Sequence, residues 1–207
     1  MYTCAYCTVH ACVSHELEKL PKNCPIRSTA VMEDAFAAYA LPENHDFSVT
    51  SALIESEGYC RWPRLKETIE FCRRMGYRKL GLAFCSGLQK EARTVADLLR
   101  SHGFEVVSVI CKNGSFPKES IGIPAENKVG PAEAFEPMCN PIGQARLLNE
   151  QQTDFNIALG LCVGHDSMFY KYSDAMVTTL VAKDRALAHN PVGAIYCAEG
   201  YMKKRLE

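Results

Sequence analysis

Four short apolar runs restrict this chain more than any other feature. Residues 79–85, 104–111, 155–162 and 175–182 are each the length of one strand, with helix-like segments between them. Near-continuous apolar strands separated by helices require a parallel sheet covered on both faces, since a half-exposed sheet would alternate apolar with polar residues. Over 88–102, Ala92, Val95, Ala96 and Leu99 share one helical face, and Gly103 ends the helix. Asn140-Pro141 and Asn190-Pro191 each set a capping side chain before a first-turn proline, so each starts a helix. Residues 26–39 and 44–58 and a stretch from Pro63 read as three earlier helices, with Pro42 ending the first. In the third, Leu65, Ile69, Cys72 and Met75 form one apolar stripe, which makes Cys72 a core thiol. The expected fold is α/β: a Rossmann-like, doubly wound, mostly parallel sheet of about four strands. A cysteine-rich segment with its helix, residues 1–42, precedes the α/β domain, residues 43–207. The long polar connection from Lys112 to Met138 has four prolines and no periodicity, which marks it as functional or mobile.

Eleven cysteines stand in 207 residues. The N-terminus lacks a charged start followed by an apolar core, and no run reaches the roughly 18 apolar residues of a membrane span. A cytoplasmic setting follows, where thiols are reduced, metal-bound or redox-active rather than paired in a disulfide framework. Lys and Arg number 23 against 24 Asp and Glu, for a formal charge of −1. Neither nucleic acid nor a membrane surface is an expected partner of so balanced a chain.

The first two dozen residues carry the sharpest motif. Cys4, Cys7, Cys12 and Cys24 form a C-x2-C-x4-C-x11-C-P pattern. A Cys-x-x-Cys turn lets two sulfurs reach one metal, and two further cysteines complete a four-sulfur cage. Zinc ribbons usually carry two such pairs, and here there is one. Cys-Pro at the last position is a feature of ferredoxin cluster runs. A 4Fe-4S cluster is therefore the leading occupant and zinc the alternative. His10 and His15 lie inside the motif and read as loop residues.

A second set is scattered in sequence. The first three strands end in Cys85, Cys111 and Cys162, and in a parallel sheet these ends share one edge. With cysteine at about one position in twenty, three successive strands ending in it is a coincidence of roughly one in ten thousand. Cys139 precedes the helix that returns to the third strand, so it starts at the same edge. His165 joins the set as an imidazole ligand or proton donor. Asp166 reads as a helix cap, Cys60 as a thiol near this edge or in the core, and Cys197 as core. Ser86-Gly87 and Asn113-Gly114 are weak candidates for anion-holding turns. There is no G-x-G-x-x-G, Walker A loop or G-x-S-x-G elbow, so nothing in the pattern implies a nucleotide.

Several of these stretches resemble an uncharacterised prokaryotic family described only as metal-binding proteins. They are the Cys4–Cys24 motif, Gly81-Leu-Ala-Phe-Cys85, Met138-Cys-Asn-Pro-Ile-Gly-Gln-Ala-Arg-Leu-Leu-Asn149, Gly160-Leu-Cys-Val-Gly-His-Asp166, and Lys183-Asp-Arg185 through His189-Asn-Pro191. That resemblance implies metal binding and no particular reaction. The first motif also resembles the 4Fe-4S motif of nickel–iron carbon monoxide dehydrogenases, though only over the first two dozen residues. A looser likeness to those enzymes and to hybrid cluster proteins lies in cysteines at strand ends; this shorter chain lacks their further domains, so their chemistry is not carried over.

The resulting expectation is an iron–sulfur metal-binding protein with a redox role, of the class of an iron–sulfur oxidoreductase. Cys4, Cys7, Cys12 and Cys24 would hold one cluster. Cys85, Cys111, Cys139 and Cys162, with His165, would form a second centre for a small-molecule substrate, and a redox partner is implied. Two alternatives stand beside it: a zinc-stabilised α/β binding module, and a thiol-based sulfur-transfer or reductase enzyme.

Overall fold

A computed structural model describes every residue from Met1 to Glu207. The chain divides into two compact units, Met1–Glu57 and Gly58–Glu207.

The first unit opens with 3-10 turns and a single helical turn, α1 (Ala11–Ser14), followed by α2 (Thr29–Ala38) and α3 (Pro42–Gly58). Four alanines among the ten residues of α2 suit a helix interior. Pro42 starts α3 instead of merely ending α2, because its fixed φ fits the first helical turn and its missing N–H costs nothing there.

The second unit runs α4 (Arg64–Arg74), β1 (Lys79–Phe84), α5 (Gln89–Ser101), β2 (Glu105–Ile110), α6 (Pro141–Glu150), β3 (Phe155–Leu159), α7 (His165–Tyr172), β4 (Val177–Val181), α8 (Val192–Tyr196) and α9 (Lys203–Leu206). All three strand pairings are parallel, in the order β2-β1-β3-β4. The chain thus leaves β1 toward one side, then crosses back to build the other. Ligand crevices of doubly wound sheets open at such a reversal, here between β1 and β3.

Alternation along the strands sorts the two faces. Leu80, Leu82 and Phe84 pack one way, and Gly81, Ala83 and Cys85 the other. On the first face, Phe155 and Tyr77 stack with centroids 5.6 Å apart, and Phe71 of α4 lies against Phe155 at 5.5 Å. Cys72 is fully buried, as its stripe requires. Fully burying Leu80 and Leu82 contributes about 1.5–3 kcal/mol each. On the second face, Ala83, Cys85, Cys111, Ala145, Leu148, Ala158, Leu161 and Phe169 form one cluster, with Val107, Val109 and Cys139 packed against it. Small residues on β1 let α6 come close. At Gly81 an added Cβ would collide with the Asn156 side chain and Leu148. Asn156 is itself fully buried and tied to Thr153 and Ser173.

Two segments depart from the sequence expectation. The C-terminal stretch after Asn190-Pro191 is two short helices, and Cys197, expected in the core, is exposed, as are Ile195 and Tyr196 beside it. Too few residues follow Pro191 in helical conformation to bury a stripe. The long 112–138 connection is pinned at its ends. Lys118 N donates to Glu136 O and Met138 N to Phe116 O, Pro117 bridges Pro137, and the Lys118 ammonium meets the Glu136 carboxylate. Its far end is held by Lys128 Nζ, which donates to Ala132 O and Ala134 O. No helix is long and apolar enough to cross a membrane.

Candidate functional site

The sheet edge is assembled by backbone bonds that step from strand to strand. Cys85, one residue past β1, donates its N–H to Leu159 O of β3 at 3.1 Å. Cys111, one residue past β2, donates to Phe84 O at 2.9 Å. The register pairs Phe84 with both Ile110 and Leu159, so the two cysteines leave the sheet side by side on the α6 face. Cys139 joins them because Asn140 N donates to Cys111 O at 2.7 Å.

Two asparagines fix that junction. Asn113 Nδ2 donates to Ile110 O and Asn140 O, Asn140 Nδ2 donates to Asn113 Oδ1, and Asn140 Oδ1 accepts from Gly143 N as the cap of α6. The cap is the one the Asn-Pro pair announces. Asn113, by contrast, serves this clasp instead of an anion-holding turn. Glycine is needed at 143 because a Cβ there would press on both asparagine side chains. Gly143→Ala should therefore cost about 1–3 kcal/mol in denaturant unfolding. Gly87→Ala, whose Cβ meets nothing nearer than Cys85 Sγ at 3.9 Å, should be close to neutral.

Cys162 arrives from β3 through Gly160, which has φ +67, and its carbonyl accepts the first N–H groups of α7, from His165 and Asp166. Asp166 bonds to Ser167 N within that first turn instead of capping it, since Gly164 holds the cap position. Cys85, Cys111, Cys139, Cys162 and His165 then line one pocket with Pro141, Gln144 and Leu161. Its cavity volume is only about 10 Å³, room for about one water-sized atom group. All eleven cysteines are free, and Cys60 is exposed, apart from this set.

Two of the four sulfurs accept a hydrogen bond, and the other two lie under the influence of nearby cations. Ser86 N donates to Cys111 Sγ at 3.3 Å, and Arg185 Nη2 donates to Cys162 Sγ at 3.0 Å. Lys183 and the Gly87 N–H favour the ionised form of Cys85 and Lys112 that of Cys139, while Lys112 Nζ donates to Pro137 O at 2.6 Å. Lys112, Lys183 and Arg185 escape a motif search because they are divided between two strand-end loops, Lys112 after β2 and the other two after β4. Their signal is positional: each follows a strand by two to four residues. Asp184 Oδ1 shapes the last loop by accepting from Ala186 N and Leu187 N.

These neighbours divide the thiols. The hydrogen bond from Cys111, and then the Lys112 charge, bring Cys139 down to about 6 against the opposing effect of burial. Cys85 is pushed up to about 12, first by its bond with Cys111 and then by burial. Burial also lowers His165, helped by Lys112 and Arg185 and opposed by Asp166, so its ring is neutral at pH 7. A thiol with a lowered pKa stays ionised until the pH falls through that value. In metal-free protein, Cys139 should therefore alkylate at an undiminished rate from pH 8 down to about 6, where an ordinary thiol has already slowed. Lys112→Met should move the fall-off of Cys139 alkylation to higher pH; an unmoved profile would remove Lys112 from the site's electrostatics.

The N-terminal set is held separately, within the first unit. Cys7 N bonds Cys4 O at 3.1 Å, the tight turn a Cys-x-x-Cys spacing allows. Asn23 Nδ2 donates to Thr3 Oγ1 at 2.7 Å and Tyr2 bonds Ser28 at 2.7 Å, bringing the segment around Cys24 to that turn. Arg27 supports it by donating to Pro21 O and Leu20 O. Cys4, Cys7 and Cys24 line one hollow, whereas Cys12, exposed on α1, does not. In neither set are three donor side chains placed to hold a single metal ion as the structure stands.

A protein-family model described as "Protein of unknown function (DUF1847)" matches residues 24–180. That span takes in Cys24 and all five sheet-edge residues. The chain is 50% identical over 169 residues to "Uncharacterized protein MJ0455" of Methanocaldococcus jannaschii, covering 82% of this chain and 84% of the relative. No solved structure matches.

Proposed function

Because the chain belongs to the DUF1847 family, whose description assigns no activity, we propose its function from its own side chains: a thiolate metal protein with a redox role. Cys4, Cys7, Cys12 and Cys24 hold a 4Fe-4S cluster that relays electrons. Cys85, Cys111, Cys139 and Cys162, with His165, hold a second metal centre at the sheet edge. A cytoplasmic setting, a redox partner and a small-molecule substrate complete the reading.

One observation carries it. Four sulfurs from four separate segments meet in one pocket; Ser86 N donates to Cys111 and Arg185 to Cys162, and Lys112 and Lys183 act on the other two. Thiolates bound to a metal core spread negative charge over their sulfurs, and hydrogen bonds to those sulfurs are a means of tuning cluster potentials. A structural core thiol needs no such donors. The donor set also fits the group chemically: soft sulfurs with one imidazole suit iron–sulfur or zinc.

The test is metal and acid-labile sulfide content of anaerobically purified protein, with a visible spectrum. About eight iron and about eight sulfide per chain fit two cubane clusters. About four of each, lost on Cys4→Ser, would restrict the reading to the N-terminal motif. Zinc without sulfide would replace the redox role with a structural one.

A further inference from the structure

The sheet-edge cysteines surround so small a space that nothing large stands between them. Two of them are also fixed by strand register. The β1–β2 ladder runs from Lys79 opposite Glu105 to Phe84 opposite Ile110. Cys111 N extends it by donating to Phe84 O at 2.9 Å, so the next rung sets Cys85 opposite Cys111. Paired strands lie about 4.7–4.9 Å apart, and disulfides join α-carbons about 4.4–6.8 Å apart. Side-chain direction agrees, because both cysteines turn to the α6 face and belong to one buried cluster. The β-carbons need only draw in from the strand spacing to about 3.5–4.5 Å. Both residues lie one past the end of their strand, where the ladder no longer opposes that approach.

The surroundings give the two sulfurs different parts. Ser86 N donates to Cys111 Sγ at 3.3 Å, and an N–H aimed at sulfur favours the thiolate, which is the attacking form. Cover over the pair is thin. Ser86 and Gly87 are exposed, and a Cβ built on Gly87 finds Cys85 Sγ as its nearest neighbour, at 3.9 Å. An oxidant as small as hydrogen peroxide needs only a slight opening of that turn.

We infer that Cys85 and Cys111 are a redox modification site, joined by hydrogen peroxide into a cross-strand disulfide and reopened by thiols. The Cys111 thiolate attacks one peroxide oxygen. The S–O bond forms, the O–O bond breaks, and hydroxide leaves to be protonated to water. Cys85, as thiolate, then attacks the sulfur of the Cys111 sulfenic acid. The S–S bond forms, the S–O bond breaks, and a second water leaves with the Cys85 proton. Two electrons pass from the sulfurs to the peroxide. A disulfide whose cysteines must draw together to bond is a reducible one, and thiol exchange returns the electrons. The site needs no metal. Oxidation takes two of the four sheet-edge sulfurs out of metal binding, whatever the centre holds.

The experiment treats the full chain with hydrogen peroxide after anaerobic chelation and quenches it in acid. Remaining thiols are alkylated in denaturant, and tryptic fragments are mapped by mass. Cys85, Cys111, Cys139 and Cys162 each fall on a fragment of their own. The fragments of Cys85 and Cys111 should appear as one linked species, with alkylation of both thiols lost. Dithiothreitol should separate them and restore it. Cys139→Ser should keep the link, while Cys85→Ser and Cys111→Ser should abolish it. A link from Cys111 to Cys139 in its place overturns the inference, as does full alkylation of Cys85 and Cys111 after peroxide. If a serine variant does not fold, the wild-type map decides. Metal content is read on untreated chain, so an empty sheet-edge centre would end the metal reading and leave this inference standing.

Discussion

Cys111→Ala is expected to strip the sheet-edge centre of its metal while the N-terminal motif keeps its own. Cys111 is central: it shifts the titration of both Cys85 and Cys139, and it receives the Ser86 N–H. Removing it deletes one sulfur and loosens two more. A second readout needs no metal. The bond from Cys111 is the largest influence lowering Cys139 to about 6, so without it the Cys139 thiol should rise toward its ordinary range. Alkylation of Cys139 at pH 6 in the metal-free variant should then fall at least about tenfold. Metal content and Cys139 reactivity both equal to wild type would show that Cys111 is a packing residue.

The largest effect on folding is expected at Gly81. A Cβ at this β1 position would run into Asn156 and Leu148, and neither can yield cheaply. Leu148 of α6 is fully buried, and Asn156 Oδ1 accepts from Thr153 while its Nδ2 donates to Ser173. Gly81→Val therefore combines overpacking with a broken buried polar network, and the two together should cost about 3–5 kcal/mol. That is a large part of the roughly 5–15 kcal/mol by which domains are stable. The denaturant midpoint checks it. A loss below about 1 kcal/mol would mean that α6 can withdraw from the sheet without penalty.

The sheet was legible because its signals are local and redundant. Apolar runs gave four strands, and Asn140-Pro141 gave the start of α6. Strand ends then put Cys85, Cys111 and Cys162 at one edge by topology alone. What stayed hidden depends on distance. Gln144 reads as an ordinary helix polar residue, and its buried, fixed amide appears only once β1 and β2 end beneath it. Lys112 is about seventy residues from the Lys183-Asp184-Arg185 run, and only the fold brings them to one edge. The C-terminal helices were misjudged because an Asn-Pro start says nothing of length, and Asn190 makes no capping bond there, while Pro191 takes the cap position.

The sheet-edge pocket draws on segments from residue 85 to residue 165, and no fragment shorter than that contains it. Whatever fills the pocket can therefore bind only the folded chain, and its binding energy becomes folding energy by mass action. An occupant at a hundred times its dissociation constant would add about 2.7 kcal/mol to the fold. It would act as a staple across β1, β2 and β3 that chelation could withdraw. Thermal unfolding of this protein should thus report on the state of its pocket even where no reaction is being followed.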